Sequence, residues 1–141
     1  MKEIQVVAFN LAKEEYAIDI LAVQEIIRPT AITRVPKAPS YIEGVINLRG
    51  NVVPVVNLRH RFGLKEEEQT ETSRVIILII NDMKIGITVD NVTEVIRIKE
   101  EDIEVPDLSD SLDQRFVQGV GKYNGRLLLL LDLEEILELT T

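Results

Sequence analysis

The sequence predicts a mainly β fold made of two small closed barrels, and three observations carry that prediction. Six short aliphatic runs, at residues 6–9, 45–48, 52–56, 75–80, 85–89 and 127–131, have strand length and are punctuated by turn residues. Turn signals stand at Arg49-Gly50-Asn51 and Asn124-Gly125, where residues that tolerate positive φ suit two-residue hairpins. The chain also repeats itself. Residues 6–28 overlay 75–97 at a constant offset of 69, and residues 41–64 overlay 116–139 at an offset of 75, each without a gap.

The repeat pairs Val6 with Val75, Glu25 with Glu94, Ile27 with Ile96 and Arg28 with Arg97. Further on, Val35-Pro36 answers Val105-Pro106, Tyr41 answers Phe116, and Gly44, Val45, Gly50, Leu58 and Leu64 recur as Gly119, Val120, Gly125, Leu133 and Leu139. Each half holds about five strands and a closing helical turn, the content of a barrel that hides its sheet edges. At about 65–70 residues a half has a marginal core of its own. The two barrels are therefore expected to pack together and leave a groove between them.

The elements follow in order. Residues 6–9 (Val6-Val7-Ala8-Phe9) open the first strand. Residues 22–28 (AVQEIIR) read as a strand whose alternation sets Val23, Glu25 and Ile27 on one face. Residues 45–48 and 52–56 form a hairpin, with Pro54 calling for an edge or a bulge because it cannot donate to a ladder. Residues 57–64 form one or two helical turns ended by Gly63, and the polar stretch KEEEQTET at 65–72 is the connector between the halves. Residues 75–80 and 85–89 are strands, Asn124-Gly125 turns into 127–131, and Asp132 caps a short helix over 132–139.

Composition removes several kinds of chemistry. With no cysteine there is no disulfide framework, thiol nucleophile or thiolate metal site, and one histidine leaves little for a triad. A net charge of −8 opposes binding to nucleic-acid phosphates or anionic lipid, and the acidic excess is concentrated in residues 99–141. The apolar runs fall far short of the roughly 20 residues of a membrane span, and no targeting segment is evident, so the expected location is cytoplasmic. No cofactor and no metal are expected.

Glu25 draws notice because a carboxylate flanked by aliphatics belongs either to a recognition surface or to a strand face turned to solvent. Arg49 precedes a turn glycine, so its side chain projects at a strand end, within reach of a carboxylate or a partner, or simply into solvent. Gly44 suits a close backbone approach or a bulge. His60 reads as a solvated residue on the predicted helix. Asp107, Asp110 and Asp113, with Ser109 and Ser111 between them, hint at a cation but lack the glycine and terminal glutamate of a calcium loop, and read as a solvated loop.

With Tyr41-Ile42-Glu43-Gly44-Val45-Ile46-Asn47-Leu48-Arg49-Gly50, Val53-Pro54-Val55-Val56-Asn57-Leu58, Val23-Gln24-Glu25-Ile26-Ile27, Gly86-Ile87-Thr88-Val89-Asp90 and Leu130-Leu131-Asp132-Leu133, the chain resembles, over essentially its whole length, the CheW family of bacterial chemotaxis coupling (adaptor) proteins. The resemblance implies a single domain, 1–141, of two intertwined five-stranded SH3-like barrels. Subdomain 1 covers about 13–72, and subdomain 2 covers about 73–141 plus the N-terminal strand 1–12. It implies a non-enzymatic adaptor, a monomer when isolated, that joins the regulatory domain of the histidine kinase CheA to the cytoplasmic tip of methyl-accepting chemoreceptors in arrays at the inner membrane. No nucleic-acid partner and no direct membrane insertion are expected. Carried over, the receptor surface is Glu25, Ile27, Gly44, Asn47, Arg49 and Val89, with Glu25 and Arg49 as an ion pair, and the kinase surface is Val7, Ile20 and Val23. The competing readings are a small acidic β-barrel enzyme, which would need titratable side chains converging at a pocket, and another protein-interaction module.

Overall fold

The computed structural model describes residues 2–39, 41–65, 68–105 and 116–137. The strands are β1 (Glu3–Leu11), β2 (Glu14–Asp19), β3 (Val23–Ile27), β4 (Ile42–Leu48), β5 (Asn51–Val56), β6 (Arg74–Ile80), β7 (Met83–Val89), β8 (Asn91–Lys99), β9 (Ile103–Glu104), β10 (Val117–Tyr123) and β11 (Arg126–Leu131). The helices are α1 (Leu58–Arg61) and α2 (Leu133–Leu137), and Ile20–Ala22 forms a 3-10 turn. The chain is mainly β, as expected.

Paired positive φ angles set the hairpins. Arg49-Gly50 takes φ of 51° and 88°, and Asn124-Gly125 takes 48° and 79°. These are the two turns the sequence announces. Ala12-Lys13 (52°, 75°) and Asn81-Asp82 (51°, 67°) make two more, joining β1 to β2 and β6 to β7. Two positive φ values in succession twist a two-residue connection with the natural twist of its strands. The helices start as expected: Asn57 Oδ1 accepts from the His60 N–H at 3.1 Å, and Asp132 Oδ1 from the Glu135 N–H at 3.2 Å.

The strands form two sheets, ordered β8-β1-β2-β11-β10-β9 and β3-β6-β7-β5-β4. The contacts divide the chain into a six-stranded unit, residues 1–21 with 93–141, and a five-stranded unit, residues 22–92. These divisions differ from 13–72 and 73–141 plus 1–12: the first strand lies with the second half as expected, but β2 goes with it and β6–β7 do not. The reason lies in pairing: the whole hairpin β1–β2 joins strands of the second repeat, and β6–β7 joins strands of the first. The parallel ladders that make this exchange are β11 with β2 (Leu130 opposite Ala17) and β5 with β7 (Val55 opposite Gly86). Those two registers are the same register under the repeat offsets.

Each unit has its own core. Val6, Ala8, Ala17, Ile96, Ile98, Leu128 and Leu130 form one, and Ile46, Leu48, Val53, Val55, Val75 and Ile77 form the other. Continuous apolar runs in β1 and β6 are buried on both faces, the pattern of strands covered on each side.

Pro54 is neither at an edge nor in a bulge. It lies in β5, between β7 and β4, opposite Val45. Val45 exchanges both backbone hydrogen bonds with Thr33, each 2.8 Å, so it asks nothing of Pro54. The ladder to β7 begins one residue later, at Val55. The proline thus occupies a position where no donor is required. The Asp107, Asp110 and Asp113 series lies outside the described residues.

Candidate functional site

Glu25 stands on β3 opposite Ile77 of β6, and Ile27 opposite Val75. Both partners belong to the core, so Glu25 and Ile27 share the core-facing side, with Glu25 toward the end where Arg49 projects. Val23 does not share it. The register shifts between Val23 and Glu25, placing Val23 opposite Leu78, which the alternation of β6 sets on the other face. The expected single face of Val23, Glu25 and Ile27 is thereby split by a bulge at Gln24.

The ion pair between Glu25 and Arg49 is present and bidentate: Arg49 Nη1 donates to Glu25 Oε1 at 3.1 Å, and Nη2 donates to Oε2. The forked geometry matches guanidinium to carboxylate and fixes both side chains. Arg49 keeps 63% of its side chain exposed, so the pair stays open to a partner. Asn47 braces the turn that presents it, its Oδ1 accepting from the Gly50 N–H at 2.9 Å.

Arg49's hydrogen bonds hold the Glu25 carboxyl below its ordinary value against a smaller opposing cost of desolvation, and the fields of Arg49 and Lys84 add to the lowering. A depressed carboxyl contributes stability above its unfolded-state pKa and loses it as pH falls through the lower folded value. A carbon-detected NMR titration is expected to place the Glu25 midpoint below 4.5, and Arg49→Gln to move it up. An unmoved midpoint would show that the pair is absent in solution.

Gly44 and Val89 lie away from the pair: Gly44 is at the other end of β4 from the Arg49-Gly50 turn, and Val89 is opposite Arg74 at the end of β7. Gly44 is buried at a register shift in β4, and a Cβ there would lie 2.4 Å from the Thr33 carbonyl oxygen, so the bulge and the close approach are both real. Val89 is 1% exposed and, beside Asp90, lines a small polar cleft rather than the surface around Arg49. Of the expected kinase residues, Val7 is also 1% exposed, on β1 opposite Ile18, and offers nothing for a partner to touch. Ile20 and Val23 are half-buried at the 3-10 turn and the start of β3. Between them Leu21, which the sequence reading passed over, is 90% exposed, the most exposed large apolar residue among those described.

The five-stranded unit also holds a small polar cleft lined by Glu43, Asn57, Arg59, Ser73, Thr88 and Asp90. Arg59 grips Asp90 there with two hydrogen bonds, 2.9 and 2.7 Å, and reaches the Lys65 carbonyl at 3.1 Å. This arrangement ties α1 to the end of β7 and the connector. His60 is exposed on α1 and does not line the cleft. Among the described residues no group of three or more His, Asp or Glu is placed to hold a metal ion, and no helix is long and apolar enough to cross a membrane.

A CheW-like domain family model matches residues 5–140. The chain is 47% identical over 137 residues to chemotaxis protein CheW of Helicobacter pylori, covering 96% of this chain and 82% of that protein. It is 36% identical over 138 residues to chemotaxis protein CheW of Thermotoga maritima, covering 98% and 90%. Among solved structures it superposes on the scaffolding protein TtCheW of Thermoanaerobacter tengcongensis with a TM-score of 0.91 and 38% identity, over 99% of this chain and 95% of that one.

Proposed function

The chain belongs to the CheW-like family and is a chemotaxis adaptor, and on that premise we propose that it joins the cytoplasmic tip of a chemoreceptor to the regulatory domain of the histidine kinase CheA without catalysing a reaction. The observation that carries this reading is the family match across nearly the whole length, residues 5–140. Coupling is thermodynamic: holding both partners raises their effective concentration, and any preference for one receptor packing is passed to the kinase as a binding free energy. The protein works in the cytoplasm and is brought to arrays at the inner membrane by the receptors it binds.

The receptor contacts are Glu25, Ile27, Asn47 and Arg49, while Gly44 fixes the bulge of β4 and Val89 borders the neighbouring cleft. The open bidentate pair and the braced turn support this assignment, since they present a rigid charged pattern beside aliphatic side chains. The kinase contacts centre on Ile20 and Val23, and the exposed Leu21 supplies an apolar anchor between them. Val7, buried opposite Ile18, packs β1 against β2 and makes no kinase contact itself.

Calorimetric titration of the full chain with a receptor-tip fragment, and separately with the kinase regulatory domain, tests the reading. Arg49→Glu sets two carboxylates side by side and is expected to weaken the receptor complex by about tenfold or more, with kinase binding and the far-UV spectrum unchanged. Undiminished receptor binding would refute the assignment of this face.

A further inference from the structure

The two units carry the same charged corner in opposite polarity. Across the repeat, β8 answers β3, β1 answers β6, β2 answers β7, β11 answers β5 and β10 answers β4, in the same spatial order. Glu94 on β8 answers Glu25 on β3, and each carboxylate takes an arginine from the neighbouring hairpin. In the six-stranded unit that arginine is Arg126, just after its turn, and in the five-stranded unit it is Arg49, within its turn. The third member differs in sign: at offset 69, Glu15 on β2 is answered by Lys84 on β7.

That one change alters the state of the corner. Glu15 receives Arg126 through Nη2 at 2.5 Å and Nε at 3.2 Å, while Arg126 Nη1 donates to Glu94 at 3.0 Å. Two carboxylates there share one cation. In the five-stranded unit both oxygens of Glu25 are taken by Arg49. Lys84 lies on the same face, because it stands opposite Ile79, two residues along β6 from the Ile77 that faces Glu25. Its field reaches Glu25, yet its ammonium makes no hydrogen bond or ion pair with any described residue. This corner therefore holds two cations against one carboxylate, on a chain of net charge −8.

Building on the receptor-facing reading of the Glu25–Arg49 face, we propose that Lys84 is a specificity-determining contact that captures an acidic side chain of the receptor tip, beside the Glu25–Arg49 pair. Ile79, 43% exposed and directly across from Lys84, provides the aliphatic ground on which the apolar residues flanking that acid rest. The matching segment is a helix whose acidic residue has aliphatic neighbours three or four positions away, so that charge and apolar contact fall on one helical face. A positive corner on an acidic protein also rejects partner surfaces that carry a cation at this point, which turns one side chain into a filter.

Calorimetry of the full chain with a purified chemoreceptor cytoplasmic-tip fragment at two salt concentrations tests the proposal. Lys84→Gln is expected to weaken binding by about threefold and to reduce its salt dependence. Lys84→Glu, which copies the residue of the other repeat, is expected to weaken it by about tenfold with an unchanged melting temperature. Replacing the acidic residues of the tip by lysine, one at a time, should restore binding to Lys84→Glu at a single position. Unaltered affinity and salt dependence in both Lys84 variants, while Arg49→Glu loses binding, would overturn the Lys84 contact and leave the receptor reading standing. Failure of the unaltered chain to bind any tip fragment would overturn both.

Discussion

Gly44→Ala is expected to cost about 2–4 kcal/mol and to lower the melting temperature by roughly 10 °C, far more than a glycine-to-alanine change at a turn. Two penalties coincide at Gly44. Its φ of +156° lies where side chains are strained, and an added Cβ would sit 2.4 Å from the Thr33 carbonyl oxygen and 2.6 Å from Ile32 Cγ2. The isoleucine methyl can swing away. The carbonyl cannot, because it accepts from the Val45 N–H at 2.8 Å while Thr33 donates back to Val45 at 2.8 Å. Relieving the clash means opening that bridge and uncovering the side of β4 it satisfies. Gly50→Ala is the control: its φ of +88° carries strain, but nothing lies within 4 Å of the added methyl, so about 1 kcal/mol is expected. Equal losses in the two variants, read from urea denaturation, would show that the Thr33 approach contributes nothing.

Val7→Asp is expected to lose about 3–5 kcal/mol and much of the native near-UV signal, so that any loss of kinase binding follows from the fold. Val7 is 1% exposed in a strand covered on both faces, and Ile18 directly opposite is 1% exposed as well. Neither Val7 nor its cross-strand partner offers the new carboxylate a donor or a path to water. Leu21→Asp separates surface from core: the side chain is 90% exposed, and its stability should change by no more than about 0.5 kcal/mol. A kinase complex weakened by Leu21→Asp at an unchanged melting temperature fits an apolar anchor at the 3-10 turn. A Val7→Asp protein that melts like the unaltered chain would place Val7 on a surface after all.

Much of this was legible in the residues, and the exceptions have physical causes. Asn124-Gly125 and Arg49-Gly50 advertise positive φ, whereas Ala12-Lys13 adopts the same turn with residues that do not favour it, because the strands it joins impose the twist. Alternation read through residues 23–27 fails at one residue, since a bulge flips every side chain that precedes it and leaves no mark in a run of aliphatics. Val7 was misplaced as a surface residue although Val6-Val7-Ala8-Phe9 is continuous rather than alternating, a pattern that already speaks for burial on both faces. The repeat was visible down to the glycines, and the bulges at Ile42/Gly44 and Val117/Gly119 recur at its offset. The resemblance already sent the first strand to the second half; that β2 goes with it and β6–β7 goes the other way was not visible, because similar hairpins fit either set of partners and only long-range pairing chooses. The opposed charges of Glu15 and Lys84 lie in the same alignment, but their meaning depends on registers that place both beside an arginine-bound glutamate.

The exchanged hairpins also govern how the chain can come into being. On the ribosome β1–β2 emerges before the other described strands, yet the parallel partner of β2 is β11, the last of them to be made. At about 5–20 residues per second, several seconds pass with an apolar hairpin made and its partner strand still missing. The five-stranded sheet is complete once residue 89 is out, so it can close and stand as a folded neighbour while the rest is synthesised. Closing the other sheet then pairs β2 with β11, a contact of high sequence separation and correspondingly slow. A ribosome stalled before residue 126 should hold one protease-resistant body and one sensitive hairpin. Cutting the gene at the connector 65–72 would yield two fragments that each lack a hairpin and regain structure only when mixed.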